Sequence, residues 1–177
     1  NSEFATPSVN GSCDTANNTF LDFWYSFEMP VTGNLQVSNA SITDVFTLYD
    51  ACSGTELQCF LDDDLFLSLT AGTSYLLRVG ERSNSAGVMN FRLQAFEAAI
   101  NDECANATTI LIETENINTY PTDLRTATES LDATCETAST YYYDMWYTFN
   151  MPVSGNLKID QLSAGNDIVT IYDACNG

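Results

Sequence analysis

Residues 87–95 read GVMNFRLQA, and this stretch decides the fold class. From Met89 to Ala95 its side chains alternate strictly between apolar odd-numbered positions and polar even-numbered positions. A period of two is typical of a β-strand with one face buried against a core. The stretch therefore predicts a half-buried strand.

The rest of the chain carries similar short patterns at regular spacing. They predict further strands at 23–28, 34–38, 44–49, 65–69, 74–79, 145–150, 156–160 and 167–172. Turn-forming clusters separate them, and no segment shows a sustained helical period. Short strands without intervening helices predict antiparallel sheets that face each other across a core. We expect an all-β fold, an antiparallel β-sandwich of the jelly-roll type.

The composition excludes several functional classes. The 177 residues include 24 acidic and 5 basic side chains, a net charge of -19, and no histidine. Such a negative field repels phosphate backbones and anionic membranes, so neither nucleic acid binding nor direct membrane insertion is expected. Without histidine there is no Ser-His-Asp triad and no imidazole zinc site. No spacing singles out a carboxylate pair for glycoside hydrolysis, so we predict that the protein is not an enzyme.

The chain also contains an internal repeat. Residues 13–54 align with residues 135–177 after one insertion near Ala164, and half of the aligned positions are identical. Trp24 and Trp146 mark the period, which is 146 - 24 = 122 residues. A period of this length is a whole domain and not a solenoid unit.

The period predicts the domain organisation. We expect a first β-sandwich repeat over 1–100 that lacks its opening segment, and the front half of a second repeat over 101–177. The chain then resembles a window from a longer tandem array. We expect the missing parts of each repeat to come from the parent protein or a neighbouring molecule; the alternative is that 101–122 folds back onto repeat one.

Several motifs carry a resemblance to a known family. They are NDECANAT (101–108), DMWYTF (144–149), PVSGNL (152–157) and IYDAC (171–175). Together they resemble a repeat of large secreted proteins of the Bacteroidetes, which is similar to the bacterial pre-peptidase C-terminal domains. A CUB-like sandwich, suggested by residues 167–173, is a further interpretation.

The resemblance implies a non-catalytic segment of a secreted or cell-surface protein. Such segments act in adhesion, or as stalks and binding modules, with neighbouring repeats, a glycan or a surface protein as partners. The alternative that the resemblance implies is an accessory domain that targets an attached secreted enzyme to a polysaccharide or protein substrate.

The six cysteines favour structural disulfides and an oxidising compartment, because none forms a C-x-x-C pair. Cys52 and Cys59 bracket a loop short enough for one bridge to close. Cys104 and Cys135 flank the opening segment of repeat two. We therefore predict the bridges Cys52–Cys59 and Cys104–Cys135.

Two cysteines have no partner in this scheme. Cys13 and Cys175 are predicted to be unpaired within this chain, since their repeat-equivalent partners fall outside it. Two alternatives remain open: Cys13 bonds to Cys175, or it bonds to Cys104 if the opening segment folds back.

Acidic residues are candidates for a calcium site. The adjacent carboxylates of Asp62, Asp63 and Asp64 repel one another unless they are solvated or bridged by a cation. Calcium takes roughly six to eight oxygen ligands, which such a loop can supply. Asp44 and Asp50 are further candidates, and the related collagen-binding modules point by analogy to Asp102 and Glu103. The competing interpretation is a solvated acidic loop.

Aromatic residues on the mixed strand faces are candidates for a ligand surface. Trp24 and Trp146 fall on the mixed face of their predicted strands, and Tyr142 stands just before the second strand. Amphipathic rings suit sugar stacking or protein contact. They also suit ordinary sandwich packing, which remains the alternative.

Overall fold

The structure is a computed structural model that describes residues 6–14, 21–39, 44–61, 65–81, 88–128, 130, 133, 135, 142–160 and 168–175. The chain divides into two compact units, Asn1–Glu97 and Ala98–Gly177, called unit one and unit two below. Regular structure among the described residues is almost entirely β-strand, as the sequence predicts.

Unit one is a β-sandwich. Its described strands are β1 (Leu21–Glu28), β2 (Gly33–Asn39), β3 (Asp44–Tyr49), β4 (Glu56–Leu61), β5 (Leu65–Leu69), β6 (Ser74–Glu81) and β7 (Phe91–Glu97). One sheet has the order β1-β6-β3-β4 and the other the order β5-β2-β7. Every neighbouring pair is antiparallel. The prediction of an antiparallel sandwich is confirmed.

The core of unit one lies between the two sheets. β2 contributes Leu35 and Val37, and the four-stranded sheet contributes Phe46, Leu77 and Val79. These side chains are at most 3% exposed, and on β2 the two apolar positions alternate with polar residues. Full burial of one such side chain stabilises the fold by about 1.5–3 kcal/mol.

Residues 91–95 of the stretch that predicts the fold class form the first part of β7, which begins at Phe91. Phe91 and Ala95 pack against the core, whereas Leu93 is 37% exposed. β7 is an edge strand that pairs only with β2, so its inward face is only partly covered.

The sequence analysis missed β4. Its residues, ELQCFL, mix polar and apolar side chains, and most of them are half-buried. β4 is the edge strand of the four-stranded sheet, and an edge position does not require a continuous buried face.

Unit two contains little regular structure among its described residues. A parallel pair joins β8 (Thr108–Thr109) to β9 (Tyr147–Thr148), and 3-10 turns span Cys104–Asn106 and Leu124–Thr126. The strands predicted at 156–160 and 167–172 do not form within the described positions. Their counterparts in unit one, β2 and β3, pair with strands of the segment 56–97, and this segment has no counterpart within the 177 residues.

Candidate functional site

An aromatic pair lies on the outer face of the four-stranded sheet of unit one. The ring centroids of Trp24 on β1 and Tyr49 at the end of β3 are 5.3 Å apart, and the ring planes are inclined by 38°. Trp24 is 40% exposed and Tyr49 is half-buried. Strand alternation puts both rings on the side of the sheet away from Leu77 and Val79, so Trp24 is accessible to a ligand.

A short hydrogen-bond chain orients the Trp24 ring. The indole Nε1 donates to Ser8 Oγ over 3.0 Å, and Ser8 Oγ donates to the Asp22 carboxylate over 2.9 Å. The Ser8 backbone N–H donates to the same carboxylate. Asp22 is buried, so the exposed ring is anchored to a fixed group below it.

Buried charges lie beneath the aromatic pair. Arg78 on β6 approaches Asp22 with its Nε at 2.7 Å and Asp14 with its Nη1 at 2.9 Å. These three side chains are only 1–2% exposed. Buried ions are tolerated when they are paired and hydrogen-bonded, so the cluster fixes the segment 6–14 against β1 and β6.

The environment of Tyr49 raises the pKa of its phenol. Burial raises the pKa of Tyr49, and the negative charge of Glu56 raises this pKa further. The Glu56 carboxylate also accepts hydrogen bonds from the N–H and hydroxyl of Ser12. A tyrosine with its ordinary pKa of about 10 is already protonated at neutral pH, so both rings of the aromatic pair are uncharged there.

The tryptophan, tyrosine, serine and aspartate of this site recur in unit two. The Trp146 Nε1 donates to Ser130 Oγ over 2.9 Å, and Ser130 Oγ donates to Asp144 over 2.8 Å. The centroids of Trp146 and Tyr172 are 5.4 Å apart, with planes inclined by 37°. Each unit therefore holds its tryptophan by the same serine and aspartate and stacks it beside the same kind of tyrosine.

The third residue predicted for the ligand surface, Tyr142, is half-buried in unit two. It lines an open cleft together with Trp146 and Tyr172. The structure thus brings two of the three predicted aromatic residues, Tyr142 and Trp146, to one cleft.

Sequence reasoning missed the residues that hold the rings. Ser8, Asp22 and Arg78 are far apart in sequence, and pairing of β1 with β6 brings them together. One signal was available, because Ser8 and Asp22 recur as Ser130 and Asp144 at the repeat period.

The predicted calcium ligands are dispersed or lie outside the described residues. Asp62, Asp63 and Asp64 and the side chain of Asp44 are outside that part of the chain. Asp50 is exposed and accepts a hydrogen bond from the Thr55 backbone N–H over 2.6 Å.

Asp102 is buried and hydrogen-bonded to Thr128. It is 7% exposed, and its carboxylate accepts hydrogen bonds from the N–H and the hydroxyl of Thr128. Glu103 next to it is exposed. Within the described positions, the one group of metal-ligating side chains is Cys13, Asp14 and Cys59, and its two sulfur atoms are bonded to each other. A calcium site stays a prediction.

The predicted disulfide pairing is wrong. The structure bonds Cys13 to Cys59 and Cys104 to Cys175, with Cα–Cα distances of 5.5 Å and 5.6 Å. The bridges Cys52–Cys59 and Cys104–Cys135 are absent, and so are the alternatives Cys13–Cys175 and Cys13–Cys104. Cys52 and Cys135 are the free cysteines, and both are exposed.

Strand register explains the pairing. Cys59 on β4 lies opposite Thr47 on β3, so its side chain points to the outer face of the sheet. The segment 6–14 covers that face and carries Cys13 to it. Cys52 instead lies in the turn after β3, away from the outer-face positions of Thr47 and Cys59.

These features define a disulfide-bonded β-sandwich module with an exposed aromatic pair. The model of a T9SS-associated family described as galactose binding domain-like matches residues 1–93 and 100–177. The chain belongs to this family. Comparisons with curated proteins and with solved structures found no match.

The family membership has two consequences. It marks the chain as a binding-type β-sandwich, and it marks the parent as a secreted or cell-surface protein of the kind that the Bacteroidetes export. The closer resemblance to pre-peptidase C-terminal domains stays a prediction. No helical segment among the described residues is long and apolar enough to cross a membrane.

Proposed function

We propose that this chain is a non-catalytic adhesion module that binds a neutral glycan through the exposed Trp24 with its neighbour Tyr49, and through the equivalent half-buried pair Trp146 and Tyr172. The observation that carries the proposal is the geometry of Trp24. Its ring is 40% exposed, yet its nitrogen is tied to Ser8 and through it to the buried Asp22. An exposed ring that is already fixed loses little conformational entropy when a ligand stacks on it.

The ligand class follows from the chemistry of the surface. The C–H face of a sugar ring stacks on an indole, and aromatic residues dominate the binding energy of many recognition surfaces. The net charge of -19 disfavours anionic polymers and leaves neutral polysaccharides as the better ligands. The family description names galactose, so galactose-containing polysaccharides are the first probes.

An adhesive role also requires a module that keeps its fold outside the cell. Each unit carries one disulfide, and these close chain separations of 46 and 71 residues. Cross-links over separations of this size disfavour the unfolded chain. This supports a stalk or adhesin in which each unit presents one aromatic pair.

Binding to immobilised polysaccharides tests the proposal. We would measure the dissociation constant of the full chain for a β-galactan, a β-glucan and a polyanionic polysaccharide. For the preferred neutral polymer, the double variant Trp24→Ala/Trp146→Ala should bind about tenfold or more weakly. The polyanion should not bind at low salt.

Tyr25→Ala is the matched control, because Tyr25 is 44% exposed and lies on the opposite side of β1 from Trp24. It should leave glycan binding unchanged. Far-ultraviolet circular dichroism checks that each variant is folded. If no neutral polysaccharide binds, or if the double variant binds as well as the original chain, the proposed function is wrong.

A further inference from the structure

The apolar face of unit two is exposed where the equivalent face of unit one is buried. The core residues of unit one that define this face, each 1% exposed, are Met29, Val37, Phe46 and Leu48. Their repeat counterparts, each 40–62% exposed, are Met151, Ile159, Val169 and Ile171. Contiguous exposed apolar residues of this kind mark a contact surface.

Unit one shows what covers this face. There β2 pairs with β5 and β7, and β3 pairs with β4 and β6. All four covering strands come from the segment 56–97, which supplies Leu69, Tyr75 and Leu77 to the core. Because the two faces are repeat copies, the same kind of segment is complementary to unit two.

A cysteine of unit two lies where a bridge to that segment forms in unit one. In unit one the Cys59 sulfur is bonded to Cys13 and lies 3.4 Å from Thr47 Oγ1. Cys135 is the counterpart of Cys13, and its sulfur lies 3.8 Å from the hydroxyl of Thr170, the counterpart of Thr47. The free thiol therefore already lies beside the position that the bridge takes.

Charge complementarity points to the same segment. In unit one the covering strand β6 brings Arg78 to the carboxylates of Asp22 and Asp14. The repeat counterparts of these two carboxylates are Asp144 and Glu136. A copy of β6 would therefore bring a guanidinium to a unit whose sequence keeps an acidic residue at both of these positions.

We propose that the exposed face of unit two is a docking surface for a strand-forming segment of the same repeat type as residues 55–97. The segment supplies strands equivalent to β4–β7 and a cysteine equivalent to Cys59, which bonds to Cys135. A low-molecular-weight disulfide such as oxidised glutathione completes the bond. The two protein thiols give up two protons and two electrons, and the glutathione disulfide becomes two thiols. This proposal does not depend on glycan binding.

Extending the full chain tests the proposal directly. Gly177 aligns with Gly54, so a copy of residues 55–97 is added after Gly177. In glutathione buffer, Cys135 should lose its reactivity toward a thiol reagent, and peptide mapping should find it bonded to the added copy of Cys59. Fluorescence of the apolar dye ANS should fall by about half or more relative to the original chain, because the exposed face is covered.

Three controls separate docking from chance oxidation. Cys52 is the counterpart of Cys175, and Cys175 is bonded to Cys104. The added copy of residues 55–97 contains no counterpart of Cys104, so the free Cys52 should stay reactive in the extended chain. An extension with the same residues in shuffled order should leave both the dye signal and Cys135 unchanged. A version with Cys59→Ser in the added copy should still lower the dye signal, because packing and not the bond drives docking.

Two results would overturn the proposal. One is an extended chain that binds as much dye as the original and keeps Cys135 reactive. The other is a stable dimer of the original chain that hides Val169 and Ile171 from solvent in hydrogen exchange, since a second copy would then be the occupant of this face.

Discussion

Arg78 Nε lies 2.7 Å from Asp22 Oδ2, and both side chains are almost completely buried beneath the segment 6–14. Asp22 also accepts the hydroxyl hydrogen bond of Ser8, which in turn receives the indole N–H of Trp24. An ion pair inside the unit thus sets the direction of a ring on its surface. Stability and the candidate binding site depend on the same contact.

Removing the buried cation should destabilise unit one strongly. Arg78→Gln leaves the carboxylates of Asp22 and Asp14 buried without a counter-charge, so we expect a loss of about 3–5 kcal/mol in the free energy of unfolding. Urea unfolding followed by Trp24 fluorescence in a Trp146→Phe background measures it. Arg92→Gln is the control, because Arg92 is exposed on β7, and it should change the stability by less than about 0.5 kcal/mol. Equal effects of the two substitutions would contradict the buried pairing.

The disulfides should make separable contributions to stability. The chain-entropy treatment gives about 4 kcal/mol for a bridge across 46 residues, so the double variant Cys13→Ser/Cys59→Ser should lower the unfolding free energy of unit one by up to that amount. Cys52→Ser should have little effect, since Cys52 is free and exposed. Peptide mapping without reduction should recover Cys13–Cys59 and Cys104–Cys175. A Cys52–Cys59 peptide would show that the pairing is incorrect.

The fold class was predictable from sequence because it depends on local alternation. Met89, Phe91 and Ala95 already mark a strand whose face needs a core, whatever its neighbours are. The strands expected at 156–160 and 167–172 did not form within the described residues, because alternation shows only that a segment can be a strand. A strand also needs a partner, and β2 and β3 find theirs in 56–97.

The candidate site was predictable only in part. Trp24 stands out because it is a large aromatic residue on the otherwise polar face of its strand, and this can be seen in a single segment. The pairing of Cys13 with Cys59 depends on the register of β3 against β4 and on the path of the segment 6–14. Sequence proximity favoured a bridge between Cys52 and Cys59. Proximity was a poor guide, because the bridge to Cys59 joins the segment 6–14 to β4.

Gly11 should not tolerate a side chain. A Cβ atom at this position would lie 2.6 Å from Thr47 Oγ1 and 2.7 Å from the Cys59 sulfur. Thr47 and Cys59 lie opposite each other on paired strands, and Cys59 is bonded to Cys13, so neither atom moves aside easily. We expect Gly11→Ala to destabilise unit one by about 1–3 kcal/mol through overpacking. The measurement is the shift of the urea midpoint of unit one.

Two other glycines provide graded controls for Gly11. Gly155 has open space around it, so Gly155→Ala should be close to neutral. Gly72 also has open space but has φ +69°, so Gly72→Ala should cost about 1 kcal/mol through backbone strain alone. If Gly11→Ala were as mild as Gly155→Ala, the segment 6–14 would not lie tightly against β3 and β4.

Calcium should stabilise the chain if the triple aspartate binds it. A ligand that binds the native state alone raises the melting temperature in proportion to RT ln(1 + [L]/Kd), so thermal unfolding in millimolar calcium is compared with unfolding in chelator. Sodium chloride at matched ionic strength accounts for screening of the -19 net charge. We expect an upshift with calcium that exceeds the sodium effect.

Charge-matched variants assign that shift to its residues. Asp62→Asn/Asp63→Asn/Asp64→Asn should abolish the calcium-specific part of the shift. The control Glu113→Gln/Glu115→Gln/Asp160→Asn removes three exposed acidic groups elsewhere and should leave it intact. If both triple variants lose the shift equally, calcium acts by general screening of the acidic surface, because site binding requires oxygen ligands grouped around one ion.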